Sequence, residues 1–415
     1  MPRKEFDAFT RLDASDVNSF LMDQSVMTFG GTAARGSAIP TPVEGMVTYL
    51  EDSNSLQLYD GSGWTAAGGA SSGNFIINGA MQVAQRGTAK TGITDSGYTT
   101  ADRWTSFIAT LGTWTHTVEN DAPTGSGFAK SFKILCTTAD NTPAAADLYQ
   151  FIQPLEGQNL QSIRKGTASA QELTVSFWVK SNVTGTYITE LVDADNTRQV
   201  SAAYTIASSA TWEKKTVVFP ADITGVLDND NNVSLRLNFI LGAGTNYTSG
   251  TLNTTWASTT NANRYVGQTN LAAATNNYWQ ITGVQLELGN VASDFDFQDI
   301  QSELAACQRY YYRQGGQDVF QFLGIAQSTS ATASLAQIVL PVTMRVPATS
   351  VEFSTLQVGD TVGTLFPVTA CTLTRPSTTV VPVSLTSTGT MTFQRSYAFG
   401  INNSLSGFLA FSSEL

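Results

Sequence analysis

The sequence predicts a mainly β protein with a short N-terminal helix and hairpin, a central antiparallel β-sandwich of jelly-roll type, and a smaller C-terminal β-domain. Three observations predict it. Apolar and polar residues alternate through nine-residue runs such as LTVSFWVKS and VSLRLNFIL, the pattern of strands with one buried and one mostly polar face. Clusters of Gly, Asn and Asp (NVTGT, VLDNDNN, GAGTN) punctuate these runs, as turns do in sandwiches. Only 13% of the 415 residues are charged, against about 25% in an average soluble protein. Thr, Ser, Asn and Gln supply the polarity instead, and branched Thr suits a pleated surface.

The same composition excludes several classes. Twenty-two Lys and Arg against 33 Asp and Glu give a net charge of −11, which argues against nucleic-acid binding, where clustered cations neutralise phosphates. Aromatic residues make up 10% of the chain, core material that a disordered chain lacks. No apolar run is long enough to span a membrane. MPRKEFDAF lacks the apolar stretch of a secretory signal, although neutral, Thr-rich surfaces recur in extracellular lectins, adhesins and virion proteins. A virion component, made in a host cytoplasm and released by lysis, fits both facts. Cys136, Cys307 and Cys371 are odd in number and widely spaced, so they read as buried hydrophobes and not as a disulfide or zinc framework.

The elements follow in chain order. Residues 1–65 form an attachment segment. In residues 13–29 a helix is expected, capped by Asp13 or Ser15, with Val17, Phe20 and Leu21 on one face and Met22, Val26 and Met27 extending the apolar side. So short an element has to bury that side elsewhere, and the expectation is a second copy or a partner protein, with packing on the sandwich of the same chain as the alternative. GTAARGSAIPTPVEG is expected to be irregular. In EGMVTYLEDSNSLQLYDGSGW, Val47 and Tyr49 face Leu56 and Leu58 in a hairpin turning at Asp52-Ser53-Asn54. Residues 66–73 read as a linker. Residues 74–300 form the sandwich, with strands expected at 74–77, 113–118, 130–136, 173–179, 186–191, 214–219, 234–240 and 279–286. A helical and aromatic connector at 301–316 has Ser302 as its expected cap. Residues 317–415 form the C-terminal β-domain and the expected receptor-binding tip, with LAQIVLPVTMRVP divided into two strands at Pro341.

Two blocks carry a resemblance. DVNSFLMDQSVMTF followed by EGMVTYLEDSNSLQLYDGSGW resembles the N-terminal segment of tailed-bacteriophage tail and fibre proteins. NFIINGAMQVAQRGT, YTTADRW, SFWVKSNVTGTY, TWEKKTVVFP, ITGVQLELG and ELAACQRYYYR resemble a second recurrent phage module. The resemblance implies a virion structural protein with a carbohydrate-binding-like jelly roll. It further implies a homotrimeric tail fibre or baseplate-attached short fibre that adsorbs the particle to host surface polysaccharide. A head-stabilising cement protein and a glycan depolymerase are the alternatives.

Candidate chemistry is sparse, and neither a catalytic motif nor a cofactor is expected. His116 in TWTHTVE lacks a nominated partner. Glu156, Asp193, Asp195 and Glu213 are carboxylates of the kind glycosidases pair, but spacing along strands does not pair them. Asp228 and Asp230 are weak calcium candidates, more simply read as turn residues. Trp178, on the polar register of its strand, and the run Tyr310, Tyr311 and Tyr312 are candidates for glycan stacking or for an interface.

Overall fold

The computed structural model describes residues 26–52, 55–66, 73–360 and 363–415. The chain divides into two units, Met1–Gly73 with Val291–Asp294, and Asn74–Asn290 with Phe295–Leu415. Val17, Phe20, Leu21, Met22 and most of the linker at 66–73 lie outside the described residues. In the first unit a four-stranded sheet runs Met27–Phe29, Val47–Leu50, Ser55–Tyr59, Trp64–Ala66. The expected hairpin forms, with Val47 opposite Leu58 and Tyr49 opposite Leu56. Two expectations are corrected. Met27–Phe29 is a strand, parallel to Val47–Leu50, because sheet pairing overrides a weak helical period. A parallel pair needs a crossover, and Thr32–Ala38, in the segment expected to be irregular, supplies it as a helix. Its Arg35 is buried, hydrogen-bonded to Gln57 and Thr48, and lies 4.2 Å from the Trp64 ring centroid.

In the second unit two antiparallel sheets face each other. One has seven strands in the order Ala257–Ser258, Arg198–Ile206, Gly185–Asp193, Val233–Ala243, Leu148–Glu156, Thr105–Ala109, Gly97–Tyr98. The other has six, Glu213–Phe219, Leu173–Ser181, Tyr278–Leu288, Ser131–Thr138, Thr113–Glu119, Ala89–Ile93. The alternation read from the sequence sets the inner faces. Val175, Phe177 and Val179 of one sheet, with Leu235, Leu237 and Phe239 of the other, are fully buried in one core. Aromatic rings run through it, with Trp104 stacked on Phe151 at 4.8 Å, Phe151 on Phe132 at 4.7 Å, and Phe177 edge-on to Phe239 at 5.0 Å. Such pairs add about 1 kcal/mol each beyond area burial. Cys136, Cys307 and Cys371 are free and buried, and burial pushes the Cys136 thiol up to about 11 and Cys371 to about 12.

Residues 74–77 are not a strand. The Asn74 side chain instead accepts hydrogen bonds from Ile76 N and Leu286 N, both at 3.0 Å, and holds an Asx-type turn. The expectation of one polar face per sheet also fails for the seven-stranded sheet. Its outer face carries Leu148, Ile188 and Ile240, and the 244–277 excursion covers them with Tyr265, Tyr247 and Leu252. Glu190 ties the cover down. It accepts two 2.8 Å bonds from Arg264 and one each from Tyr265 (3.0 Å) and Asn238 (2.9 Å).

Residues 322–401 close a six-stranded antiparallel barrel in the order Phe322–Ser328, Ala333–Val339, Val380–Ser387, Leu365–Leu373, Leu356–Gly359, Ser396–Ile401. Closure leaves no sheet edge. Of the two strands expected around Pro341, only Ala333–Val339 forms; past Pro341 the chain makes bends, and Met344 N bonds to Thr378 O at 2.8 Å. A separate three-stranded sheet has Phe408–Ser412 between Tyr311–Gly315 and Ser350–Ser354. The connector helix is Ile300–Gln308, and Asp299, not Ser302, caps it, accepting from Gln301 N at 2.9 Å and Ser302 N at 3.1 Å.

Buried charge fastens the barrel end of this unit to the sandwich. Arg103, 1% exposed, pairs with Glu414, donates to Pro154 O at 2.7 Å, and lies 3.5 Å from the Tyr310 ring centroid. Arg309 grips Glu156 through two 2.9 Å bonds, and Tyr310 donates to the same carboxylate. Arg345 donates to Asn231 O, Ser413 O and Glu414 O, each at 2.9 Å. Glu414→Gln leaves Arg103 buried without a counter-charge, and is expected to cost about 3–5 kcal/mol. Urea denaturation checks this, and a midpoint equal to that of the parent chain would contradict the junction described here.

Candidate functional site

The outer face of the six-stranded sheet carries a row of aromatic and polar side chains; it is buried at Thr282 and Gln285, where Phe128 packs beside the strand, and partly exposed at Trp178, Lys180 and Tyr278. Register puts them together. Trp178 stands opposite Thr282 and Lys214, Lys180 opposite Gln280, and Gln280 opposite Lys133. A bulge at Gly283-Val284 keeps Thr282 and Gln285 on the same face. There φ is +62°, and a Cβ would fall 2.4 Å from Phe128 Cζ, so the position takes glycine. Tyr278, two residues before Gln280, shares the face, as does Trp212 at the mouth of the edge strand. Trp178, Trp212 and Tyr278 are each half-buried. The row crosses four strands, about 15 Å at ordinary strand spacing.

Asp121 is its polar centre. It pairs with Lys180 and accepts from Trp212 Nε1 at 3.2 Å and Gln280 Nε2 at 3.4 Å. Partial burial would raise its carboxyl, but the bonds from Lys180 and Trp212 outweigh that and hold it below the usual carboxylate range. Lys180 Nζ lies 5.2 Å from the Trp212 ring centroid, and Lys133 Nζ 4.9 Å from that of Tyr278. Burial, and then the Asp121 charge, push the Tyr278 phenol up. Among the described residues, the Trp178 ring has neither an aromatic nor a cationic partner. The arrangement can stack flat apolar faces on the half-buried rings and exchange hydrogen bonds with hydroxyls through the exposed Asp121 and the half-buried Lys180 beside them.

The structure scatters the other residues singled out from the sequence. Tyr310 and Tyr311 are 1% exposed and packed under Arg103 and Arg86. Of the two readings open for them, glycan stacking and an interface, their burial at the junction matches the second. Tyr312 is half-buried and its hydroxyl accepts from Gln314 at 2.6 Å. Val26 is exposed, and Met27 is half-buried in its strand. The four carboxylates do not converge. Glu156 is held by Arg309 and Tyr310; burial would raise its pKa, but these bonds lower it. Asp193 pairs with Lys165, Asp195 accepts from Asp228 N at 2.9 Å, and Glu213 accepts from Ser208 N at 2.7 Å. Asp230 accepts from Asn232 N at 2.9 Å and Asn232 Nδ2 at 2.6 Å, a turn residue's bonding, while Asp228 is exposed. Among the described residues, no group of three or more His, Cys, Asp or Glu side chains is placed to hold a metal.

Reasoning from sequence missed Asp121, Trp212 and Tyr278. Trp212 has the same strand parity as Lys214 and Trp178's register partner, which was a readable signal. Asp121 lies 59 residues from Lys180 and 159 from Gln280, and no local pattern joins them.

No family model and no curated protein matches the chain. Among solved structures, the enzymatically active domain of tailspike protein 4 of bacteriophage CBA120 is similar over 52% of this chain. That likeness has 15% identity and a TM-score of 0.28, and spans 21% of the tailspike chain. The module TmCBM61, in complex with β-1,4-galactotriose, is similar over 52% of this chain and 99% of its own, at 10% identity and a TM-score of 0.27. A family 11 carbohydrate-binding module of Clostridium thermocellum is similar over 49% and 96%, at 13% identity and a TM-score of 0.25. No helix among the described residues is long and apolar enough to cross a membrane.

His116, also weighed from the sequence, is fully buried between Thr99 (Nδ1, 2.8 Å) and the Tyr149 hydroxyl. Burial pushes its imidazole down to about 3. The unfolded chain takes up this proton near pH 6.5 and the folded one only near 3. Stability therefore falls as pH drops through that window. Burial raises Asp102 to about 6, which works in the opposite sense between pH 4 and 6, so variant and parent must be compared. In His116→Gln, the loss of stability between pH 6 and 4 is expected to be shallower by about 1.4 kcal/mol per pH unit. Denaturation at several pH values measures it, and parallel curves would contradict the assignment.

Proposed function

We propose that this chain is a virion attachment protein, a homotrimeric tail fibre or baseplate-attached short fibre, that holds the particle to a host surface glycan. It acts by binding and without bond cleavage. The observation that carries the reading is the row Trp178, Trp212, Tyr278 around Asp121, which keeps partly exposed rings and an exposed carboxylate on the outer face of one sheet, while the 244–277 excursion covers the outer face of the other. Half-buried rings bring contact area at low entropic cost, and the Asp121, Lys180 and Gln280 groups answer hydroxyls. The pairing of Glu156, Asp193, Asp195 and Glu213 with separate partners supports binding over hydrolysis. The phage-like motifs of the N-terminal block support attachment to a particle. A strip this shallow suits weak single grips made strong by linked copies.

The test is binding of the purified chain to host surface polysaccharide, with Trp178→Ala and Trp212→Ala beside the parent and light scattering for its mass. The expected result is a trimer whose affinity falls at least tenfold, about 1.4 kcal/mol, in each variant at unchanged folding. Full binding by both variants would sink the platform; a monomer would sink the fibre.

A further inference from the structure

A second concave site lies away from the row, where strands from the sandwich and the three-stranded sheet meet. It is a cleft of about 510 Å³ lined by Arg86, Lys90, Tyr311, Arg313, Glu352 and Phe408 among others. Three cations line it against one carboxylate; Arg86 is also paired outside the lining with Glu414 and Asp102, which leaves Lys90 and Arg313 as its positive charge. Among the described residues, neither Lys90 nor Arg313 forms an ion pair.

The two guanidinium groups are preorganised. Arg86 lies 3.5 Å from the Tyr311 ring centroid and 5.1 Å from that of Tyr98, and Arg313 lies 4.0 Å from that of Phe408. A guanidinium laid on a ring keeps its N–H edges in a fixed fork, the geometry that matches an oxyanion. Arg313 spends one Nη on Gln85 O at 2.9 Å. Arg86 reaches Glu414 through Nη2 at 3.2 Å. Its Nη1 sits 3.6 Å from Asp102 Oδ1, beyond hydrogen-bond reach, and is buried without a hydrogen-bond partner although the side chain is 9% exposed. Lys90 is exposed at the rim, placed to draw an anion in. Glu352 accepts from the Tyr311 hydroxyl at 3.3 Å, and leaves an acceptor in the cleft for a neutral hydroxyl.

We propose that this cleft binds an acidic saccharide, with the oxyanion of a sugar carboxylate held between Arg86 and Arg313 and a neighbouring hydroxyl donating to Glu352. The proposal concerns residues separate from the Trp178 row and stands without it.

The experiment immobilises uronate-bearing, sialylated and neutral oligosaccharides and measures retention of the full-length chain, its Lys90→Gln/Arg313→Gln variant, and Trp178→Ala. Both exchanged cations lie outside ion pairs, so the double variant is expected to fold, which circular dichroism and its melting midpoint check. The expected result is retention on at least one acidic saccharide. That retention weakens as salt rises and falls at least tenfold in the double variant. Retention on neutral saccharides alone would overturn the proposal, as would equal retention of acidic saccharide by the folded double variant. Calorimetric titration with inorganic phosphate separates the sources: binding of phosphate without any acidic saccharide overturns the saccharide assignment. Loss of binding only in Trp178→Ala would leave the row standing and remove the cleft.

Discussion

A charge taken out of water has to be met by another charge or by several hydrogen bonds, because its desolvation otherwise costs several kcal/mol. This constraint organises the larger unit. Few as its charged residues are, the chain commits several of them to buried pairs. It places Arg103 against Glu414, Arg309 against Glu156, Lys165 between Asp193 and Asp222, and Arg264 against Glu190, all buried or half-buried. Each pair joins segments far apart in sequence. Apolar contact alone would let two β surfaces slide; a guanidinium with two fixed acceptors does not. These pairs act as pins that fix how sheets, loops and barrel meet.

The pins also decide which surfaces are left to bind anything. Glu190 anchors Arg264 and Tyr265, and so commits the seven-stranded sheet's outer face to a second, interior cluster. On the six-stranded sheet Phe128, Phe295 and Phe297 cluster beside Gly283 and Gln285, and only the row beyond them keeps half-buried aromatics beside polar groups. At the barrel junction the pins leave a cleft, beside which Arg86 and Arg103 share Glu414. The two proposed binding surfaces thus lie where the fastening is incomplete.

Inner faces were readable in the sequence because period-2 alternation is a local signal. Val175, Phe177 and Val179, and Leu235, Leu237 and Phe239, are where the pattern puts them. Leu148–Glu156 was not readable. Every residue in it is buried, so it shows no alternation, and Pro154 argues against a central strand. The proline is tolerated because pairing with Thr105–Ala109 stops at Ile152, and beyond that point only Val233–Ala243 is alongside. Barrel closure was equally hidden, since a closing pair such as Phe322–Ser328 with Ser396–Ile401 leaves no trace in either strand. The same asymmetry governs the site. Trp178 shows its face through its own strand, whereas Asp121 acquires its role only through partners brought by folding.

Shape sets what such a surface can do. An enzyme that cuts a polymer excludes water and holds two carboxyl groups across one bond. A flat row backed by a rigid sheet does neither. It offers ring faces and a carboxylate already tethered by Lys180, Trp212 and Gln280, so its geometry is paid for before a ligand arrives. Preorganisation of this kind reduces the entropy lost on binding without adding area, and the result is fast, weak and reversible contact. On the proposed reading of the chain as an attachment protein of a particle, many such contacts in parallel are more useful than one deep pocket, because each can release while the others hold. A rigid, pinned scaffold is what lets the contacts stay in register with one another.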